Sequence, residues 1–244
     1  MMKANPVVTM PLFVLAGGFG TRLSSVLNGS PKALASVNGK PFLFYQIEHW
    51  LHQGINSFVF LLHHHADAII NFLKKEEGGL LKDCNIRYVT EPSPLGTGGA
   101  IAFAIKVLNF EGDFLLANAD TWLGLGFDQI MSASSPAILV VKVKNVGRYG
   151  EVVFDHNRLV TSFIEKRINQ NAGWINTGVS RINASFFKGW DGQAFSLESV
   201  TYPKLVAKQV LSALTLDTDF IDIGTPEDYT KFCRWVESRK MVGL

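Results

Sequence analysis

The chain has 244 residues, 47% of them hydrophobic and 18% charged, with a formal net charge of +2. That size and apolar content predict one sizeable α/β domain over 1–244 and exclude a disordered or fibrous chain. With charge near balance and no dense block of Lys or Arg, a general role on nucleic acid or at a membrane surface is excluded, and the cations that matter are expected to act locally, on phosphates.

The first predicted element is Leu12-Phe13-Val14-Leu15, a short apolar run expected as a buried strand. It empties into Leu15-Ala16-Gly17-Gly18-Phe19-Gly20-Thr21-Arg22-Leu23, and Pro31-Lys32 follows shortly after. Gly17, Gly18 and Gly20 let the backbone turn sharply and present bare N–H groups. Such a loop is an anion nest, to which Thr21 adds a hydroxyl and Arg22 and Lys32 add cations. The expected occupant is the phosphate chain of a nucleotide. Two other phosphate loops do not fit. A Walker A loop requires G-x-x-x-x-G-K-[ST], but Gly39-Lys40 is followed by Pro41 and preceded at the first glycine position by Leu34. A dinucleotide fingerprint starting at Gly18 would end on Leu23, and Lys40 stands where an acid should meet the ribose.

Beyond the loop, a helix is predicted over 41–53, with Pro41 in its first turn and Gly54 near its end. A strand over 57–62, a helix over 66–77, a strand over 85–90 and a helix over 98–108 follow, and then a strand over 114–117 that runs out into Asn118-Ala119-Asp120. This alternation predicts βαβ units and a Rossmann-like, mostly parallel mixed sheet flanked by helices, with 11–120 as the nucleotide half. The rhythm then changes. Strand-like runs over 137–143, 150–154, 159–165 and 174–181 have little helix between them and predict a small additional β layer closing over the first half. A short strand over 220–223 and a helix over 226–238 complete the chain. His63-His64-His65 invites a metal, but successive side chains on a strand alternate between faces, so the expected reading is a strand-end turn with solvated imidazoles.

Three further groups carry chemistry. Glu91-Pro92-Ser93-Pro94-Leu95-Gly96-Thr97-Gly98-Gly99 joins a strand to a helix, with prolines to stiffen it and glycines to admit a flat ligand. Guanine presents its N1–H and N2 amino groups side by side, and a carboxylate such as Glu91 accepts from both; the plainer alternative is that Glu91 caps the following turn. Asp120 and Asp222 each sit by the end of a strand, where ligands of α/β sheets gather, and two such aspartates can hold a Mg²⁺ that also grips triphosphate oxygens. In the second half, Gly150 beside Tyr149 allows a sugar ring against backbone, Glu165 can accept its hydroxyls and Lys166 can hold its phosphate. Taken alone, Glu165-Lys166 also reads as a surface ion pair.

The glycine loop with its Pro31-Lys32 resembles the signature of the sugar-1-phosphate nucleotidylyltransferases, L-A-G-G-x-G-T-R-L followed by P-K, and meets every fixed position. The resemblance covers about 11–232. It implies that Leu15, Ala16, Gly17, Gly18, Gly20, Thr21, Arg22, Lys32, Glu91, Pro94, Leu95, Gly96, Thr97 and Asn118 bind nucleotide, and that Tyr149, Gly150, Glu165, Lys166, Asn176 and Thr177 bind the sugar phosphate. Asp120 and Asp222 then match the family's metal aspartates, the first in Asn118-Ala119-Asp120 where the family has N-G-D. The form Leu95-Gly96-Thr97-Gly98-Gly99-Ala100-Ile101 is typical of the guanylyltransferase branch, and Phe195-Ser196-Leu197-Glu198 resembles the F-S-x-E of heptose-1-phosphate guanylyltransferases; Ser196 alone also reads as a helix N-cap.

The implied reaction is Mg²⁺-dependent transfer from GTP to a sugar 1-phosphate, favoured as D-glycero-D-manno-heptose 1-phosphate, giving a GDP-sugar for surface polysaccharide and pyrophosphate. Arg22, Lys32, Asp120, Lys166 and Asp222 are the expected catalytic residues. Rival readings are transfer to mannose 1-phosphate, a uridylyl- or thymidylyltransferase acting on a hexose 1-phosphate, and a nucleotide-sugar sensor without catalysis. The two cysteines, Cys84 and Cys233, form neither a metal pair nor a disulfide framework. With no evident signal peptide or membrane span, the expected location is the cytoplasm. Homodimer formation is left open.

Overall fold

The computed structural model describes residues 10–20, 23, 27, 29–164 and 171–241; Thr21, Arg22, Glu165 and Lys166 lie outside them. At its centre is β1 (Leu12–Leu15). It is buried on both faces, which is why it reads as an unbroken apolar run. A hairpin of β2 (Ser36–Val37) and β3 (Lys40–Pro41) leads into helix α1 (Phe42–His52). Next come β4 (Ser57–Leu62), α2 (Ala66–Glu76), β5 (Asn85–Thr90), α3 (Gly96–Leu108) and β6 (Asp113–Asn118), in the expected alternation. β4 and β6 flank β1 in parallel, and β5 continues beyond β4. Successive residues of β1 serve opposite layers. Leu12 and Val14 pack with Leu43 and Ile47 of α1 and Ile69 of α2, whereas Phe13 packs with Ile101 and Ala104 of α3.

The second half contains β7 (Thr121–Leu123), α4 (Phe127–Ser132), β8 (Ala137–Val143), β9 (Glu151–Phe154), β10 (Val160–Ile164) and β11 (Gly173–Asn183). These are followed by α5 (Tyr202–Ala207), β12 (Ser212–Leu216), β13 (Phe220–Asp222) and α6 (Pro226–Met241). The additional small β layer is the antiparallel pair of β7 and β13. The longer strands do not form that layer. They extend the main sheet to nine strands, in the order β10-β9-β11-β6-β1-β4-β5, with β8 and β12 joined beyond β11.

The reason lies in β11. Its second half pairs antiparallel with β6, Ser180 opposite Leu116, and so covers what would be an open sheet edge. Its first half leaves β6 and meets β9 instead, Ile175 opposite Glu151. The break falls between Asn176 and Ser180, where Gly178 takes φ +82°, a conformation that favours glycine. The sheet therefore forks beside the carboxyl end of β6. Unpredicted β12 runs parallel to β8, and α6 packs Phe232 and Val236 against Phe42, Trp122 and Ile221.

A polar cluster fastens β11 to β6. The Arg181 guanidinium donates to Asp113 Oδ2 from Nε at 3.0 Å and Nη2 at 2.7 Å, and to the carbonyls of Met131 and Ala133. Burial acts to raise the Asp113 pKa, but hydrogen bonds from Asn183 and Arg181 and the Arg181 charge carry it below the usual value. A depressed carboxylate contributes stability that is present above its unfolded pKa and lost as pH falls through the folded one. Arg181→Met is expected to lower the unfolding free energy by about 2 kcal/mol at neutral pH, the scale of a lost charge-assisted hydrogen-bond group. In urea titrations the deficit should shrink below the unfolded carboxylate pKa; a deficit constant with pH would remove Asp113 from the account.

Candidate active site

The glycine loop leaves β1 at the carboxyl edge of the sheet. Ala16 N–H continues the ladder to Leu61 O at 2.9 Å, and Ala119 N–H donates to Leu15 O at 3.0 Å. A Cβ on Gly17 would lie 3.1 Å from the His63 backbone nitrogen and 3.3 Å from Glu91 Oε1, so this position has no room for a larger residue unless its neighbours shift. Lys32 sits on a short 3₁₀ turn after Pro31. Its Nζ donates to Asp120 Oδ2 at 2.7 Å and to Asp222 Oδ1 at 3.4 Å.

Asp120 and Asp222, far apart in sequence, are brought together by the β7–β13 pair, with Asp222 opposite Thr121. Ile223 N–H donates to Asp120 O at 3.0 Å. From the other side, the buried Gln46 amide donates to the carbonyls of Asn118 and Thr121, at 3.1 and 2.9 Å, and holds the peptide on either side of Asp120. Burial raises the Asp222 pKa, Asp120 raises it further, and Lys32 opposes both. The arrangement is two carboxylates turned on one cation. Among the described residues no group of three or more metal-ligating side chains occurs. The donor set present fits a hard divalent ion such as Mg²⁺, which takes one or two protein carboxylates and completes its shell with water and phosphate oxygens.

Asp120 borders three adjoining cavities. The first is lined by Ala16, Gly18, Gly20, Lys32, Ala119 and Gly224. Ala119, where the resemblance has glycine, is 2% exposed and packs in the core while bordering this cavity. The second, of about 340 Å³, has Leu15, Leu61 and Ala100 as apolar wall and Gly17, Gly18, Phe19, His63, Glu91, Pro94, Leu95, Gly96, Thr97 and Asn118 around them. Glu91 is 8% exposed. Its Oε2 accepts from Leu95 N–H at 2.8 Å, so it does cap the turn. Its carboxylate still borders the cavity, and each oxygen has a second lone pair to offer. Burial pushes the Glu91 pKa up, against the Leu95 hydrogen bond and the neighbouring His63.

The third cavity, of about 270 Å³, lies in the fork of the sheet and includes Tyr149, Gly150, Asn176, Thr177, Glu198 and Asp222. Tyr149 stands edge-on to Phe220 with ring centroids 5.5 Å apart, and Arg148 beside it pairs with Asp228 at 2.5 Å. A Cβ on Gly178 would sit 2.4 Å from Asn118 Nδ2, so glycine is required where β11 passes the end of β6. Asn176 Oδ1 accepts from Gly178 N–H at 3.2 Å. The Thr177 hydroxyl is committed elsewhere, donating to Leu139 O and accepting from Val179 N–H, with the residue 2% exposed. That hydroxyl serves the sheet, while Thr177 itself is among the residues that line the fork cavity.

His63 is a site residue that the sequence reading set aside. Its ring lies 3.3 Å by Nδ1 from Glu91 O, and the partly exposed Phe19 ring stands edge-on to it at 5.9 Å. The expected turn follows β4 at His64 and His65, with His65 exposed and His63 and His64 half-buried. The available signal was position: His63 directly follows β4, at the same carboxyl edge as the glycine loop. Gln46 gave no local signal; for Glu198 the signal was its place at the end of Phe195-Ser196-Leu197-Glu198. Ser196 does act as a cap, accepting from Ser199 N–H at 3.1 Å.

Residues 12–239 match the family described as nucleotidyl transferase. A D-glycero-alpha-D-manno-heptose 1-phosphate guanylyltransferase of Campylobacter jejuni is 36% identical over 91% of this chain and 98% of its own. Mannose-1-phosphate guanylyltransferase catalytic subunit beta of Drosophila melanogaster is 30% identical over 97% of this chain, and mannose-1-phosphate guanylyltransferase 1 of Arabidopsis thaliana 32% over 90%. The chain spans 66% and 63% of the length of these two relatives. HddC from Yersinia pseudotuberculosis, in a crystal structure with GMP-PN, superposes with a TM-score of 0.80 at 34% identity, over 93% of this chain and 100% of that one. A UDP-glucose pyrophosphorylase, 16% identical with a TM-score of 0.79, shares the fold.

A carboxylate whose folded pKa is raised disfavours folding once ionised, and the penalty is full above that pKa. Asp222→Asn is therefore expected to raise the urea midpoint of the ligand-free protein at pH 7, with the gain vanishing as pH falls below the unfolded carboxylate pKa. A lower midpoint at pH 7 would mean that the Lys32 pairing outweighs the burial.

Proposed function

We propose that this chain, which belongs to the nucleotidyl transferase family, moves GMP from GTP to a sugar 1-phosphate, with a heptose 1-phosphate as the acceptor. The observation that carries the proposal is the position of Asp120, shared by the glycine-loop, Glu91 and fork cavities. Triphosphate, base and acceptor then meet at one carboxylate. The heptose assignment is supported by the Campylobacter jejuni relative, matched over 98% of its length.

In this reading an acceptor phosphate oxygen attacks the α-phosphorus of GTP, a new P–O bond forms, and the bond to the bridging oxygen breaks so that pyrophosphate leaves with the electron pair. The acceptor phosphate has a second pKa of about 6 and arrives mostly dianionic, so no general base is needed. The work left to the protein is alignment and charge neutralisation. Gly17, Gly18 and Gly20 give backbone N–H groups to the phosphates, Arg22 and Lys32 meet the departing pyrophosphate, and Lys166 holds the acceptor phosphate. Asp120 and Asp222 would hold Mg²⁺, which when bound neutralises phosphate charge and favours in-line geometry. Glu91, ionised, accepts from guanine N1–H and N2. Because burial raises the Glu91 pKa, base recognition is lost at a higher pH than for an ordinary carboxylate.

Pyrophosphate release should appear with Mg²⁺, GTP and heptose 1-phosphate, and be far weaker when ATP, UTP or CTP replaces GTP or mannose 1-phosphate replaces the heptose. Release with UTP alone would discard the guanine assignment, and preference for mannose 1-phosphate the heptose one. Glu91→Gln is expected to reduce the preference for GTP over ITP, which lacks the N2 amino group, by roughly tenfold, as a charged acceptor becomes a neutral one. An unchanged GTP-to-ITP ratio would reduce Glu91 to its capping role.

A further inference from the structure

The segment that carries Glu198 crosses from the end of β11 to α5 and is strapped to the start of α3. Phe195 N–H donates to Leu95 O at 2.9 Å, and Phe195 O accepts from Gly98 and Gly99 N–H at 3.0 and 3.2 Å. The Phe195 ring lies so close that a Cβ on Gly98 would fall 2.1 Å from it. On this strap Glu198 Oε2 accepts from Thr97 Oγ1 at 2.6 Å and from Ser196 Oγ at 2.9 Å. Thr97 Oγ1 in turn accepts from Leu197 N–H at 2.8 Å. One carboxylate oxygen is thus clasped by two hydroxyls. The other, Oε1, has no hydrogen-bond partner among the described residues, and the half-buried residue borders the fork cavity with Tyr149, Asn176 and Asp222.

A carboxylate only accepts hydrogen bonds, and a sugar presents hydroxyl donors. Fixing the side chain beforehand removes the rotamer entropy that a free glutamate would lose on binding. We propose that Glu198 is a specificity-determining residue of the acceptor cavity, its clasped Oε2 aiming Oε1 at hydroxyls of the acceptor sugar. This inference rests on the sugar-1-phosphate reading of the fork cavity. Thr97, which holds Glu198, also borders the Glu91 cavity, so the same clasp fastens the acceptor wall to the nucleotide wall.

The test is steady-state kinetics of the wild type, Glu198→Gln and Glu198→Asp with GTP and a series of monodeoxy acceptor phosphates, alongside thermal melts. Glu198→Gln should raise the acceptor KM roughly tenfold or more, leave the KM for GTP within about twofold, and keep the melting midpoint. At one deoxygenated position the penalty suffered by the wild type should disappear in Glu198→Gln. Glu198→Asp keeps the charge but is too short for clasp and sugar together, and it should lose the same discrimination. Equal effects on GTP and acceptor, or a lower midpoint with unchanged acceptor KM in both variants, would make Glu198 a structural clasp and overturn the proposal. Wild-type turnover with the acceptor ranking unaltered by either variant would overturn this inference alone. A wild type that released no pyrophosphate with any acceptor would overturn the transferase reading and this inference with it.

Discussion

Lys32 between Asp120 and Asp222 is the contact on which the rest of the site depends. Two carboxylates brought close together, Asp222 the more buried of them, repel each other, and a cation that answers both offsets that repulsion. The fold supplies this from three distant stretches of chain: a turn after the glycine loop, the end of β6, and a short strand near the C-terminus. Much of the surrounding structure keeps these three in place. Gln46 of α1 pins the peptides around Asp120, β7 and β13 bring Asp222 alongside, and α6 anchors β13 through Phe232 and Val236. The terminal helix is therefore part of what positions a charged group at the centre.

The glycine loop, the Glu91 loop, Asp120 and Asp222 were legible in the sequence because each is local. A loop of clustered glycines after an apolar run has few other uses, and a carboxylate at a strand end has a definite place in an α/β sheet. The central strands were legible for the same reason, since burial on both faces leaves an unbroken apolar run. What was missed arrives by long-range packing. Glu198 showed in the sequence as the last residue of Phe195-Ser196-Leu197-Glu198, but its place at the fork cavity comes from Phe195 lying on the bare backbone of Gly98 and from the Thr97 contact. Thr177 lines the cavity together with Asn176 and Gly178, and its hydroxyl turns back to Leu139 O, a contact across 38 residues that no local pattern announces.

The course of β11 explains why the second half extends the main sheet. A separate layer over the nucleotide half would have left the β6 edge without partners, and the second half of β11 takes that edge. Had β11 followed β6 along its whole length, the sheet would have closed over the carboxyl end of β6 and no fork cavity would exist. The departure at Gly178 turns a sheet-edge solution into a binding wall, with Asn118 pressed against the one residue type that fits.

The same geometry sets the balance between stability and chemistry. In the proposed reaction the nucleophile arrives already ionised, so the site needs no acid–base pair, only fixed charges facing the atoms where charge moves. Fixed charges kept away from water disfavour the folded state when no ligand is bound, as the raised pKa of Asp222 shows. Lys32 limits that cost by answering both aspartates, yet on this mechanism it is also the cation that meets the departing pyrophosphate. One ammonium then serves the empty site and the reacting one. Asp120 and Asp222 would hold a divalent ion, whose charge would answer theirs and leave the Lys32 ammonium to the phosphates, so metal and triphosphate are expected to bind together better than either binds alone.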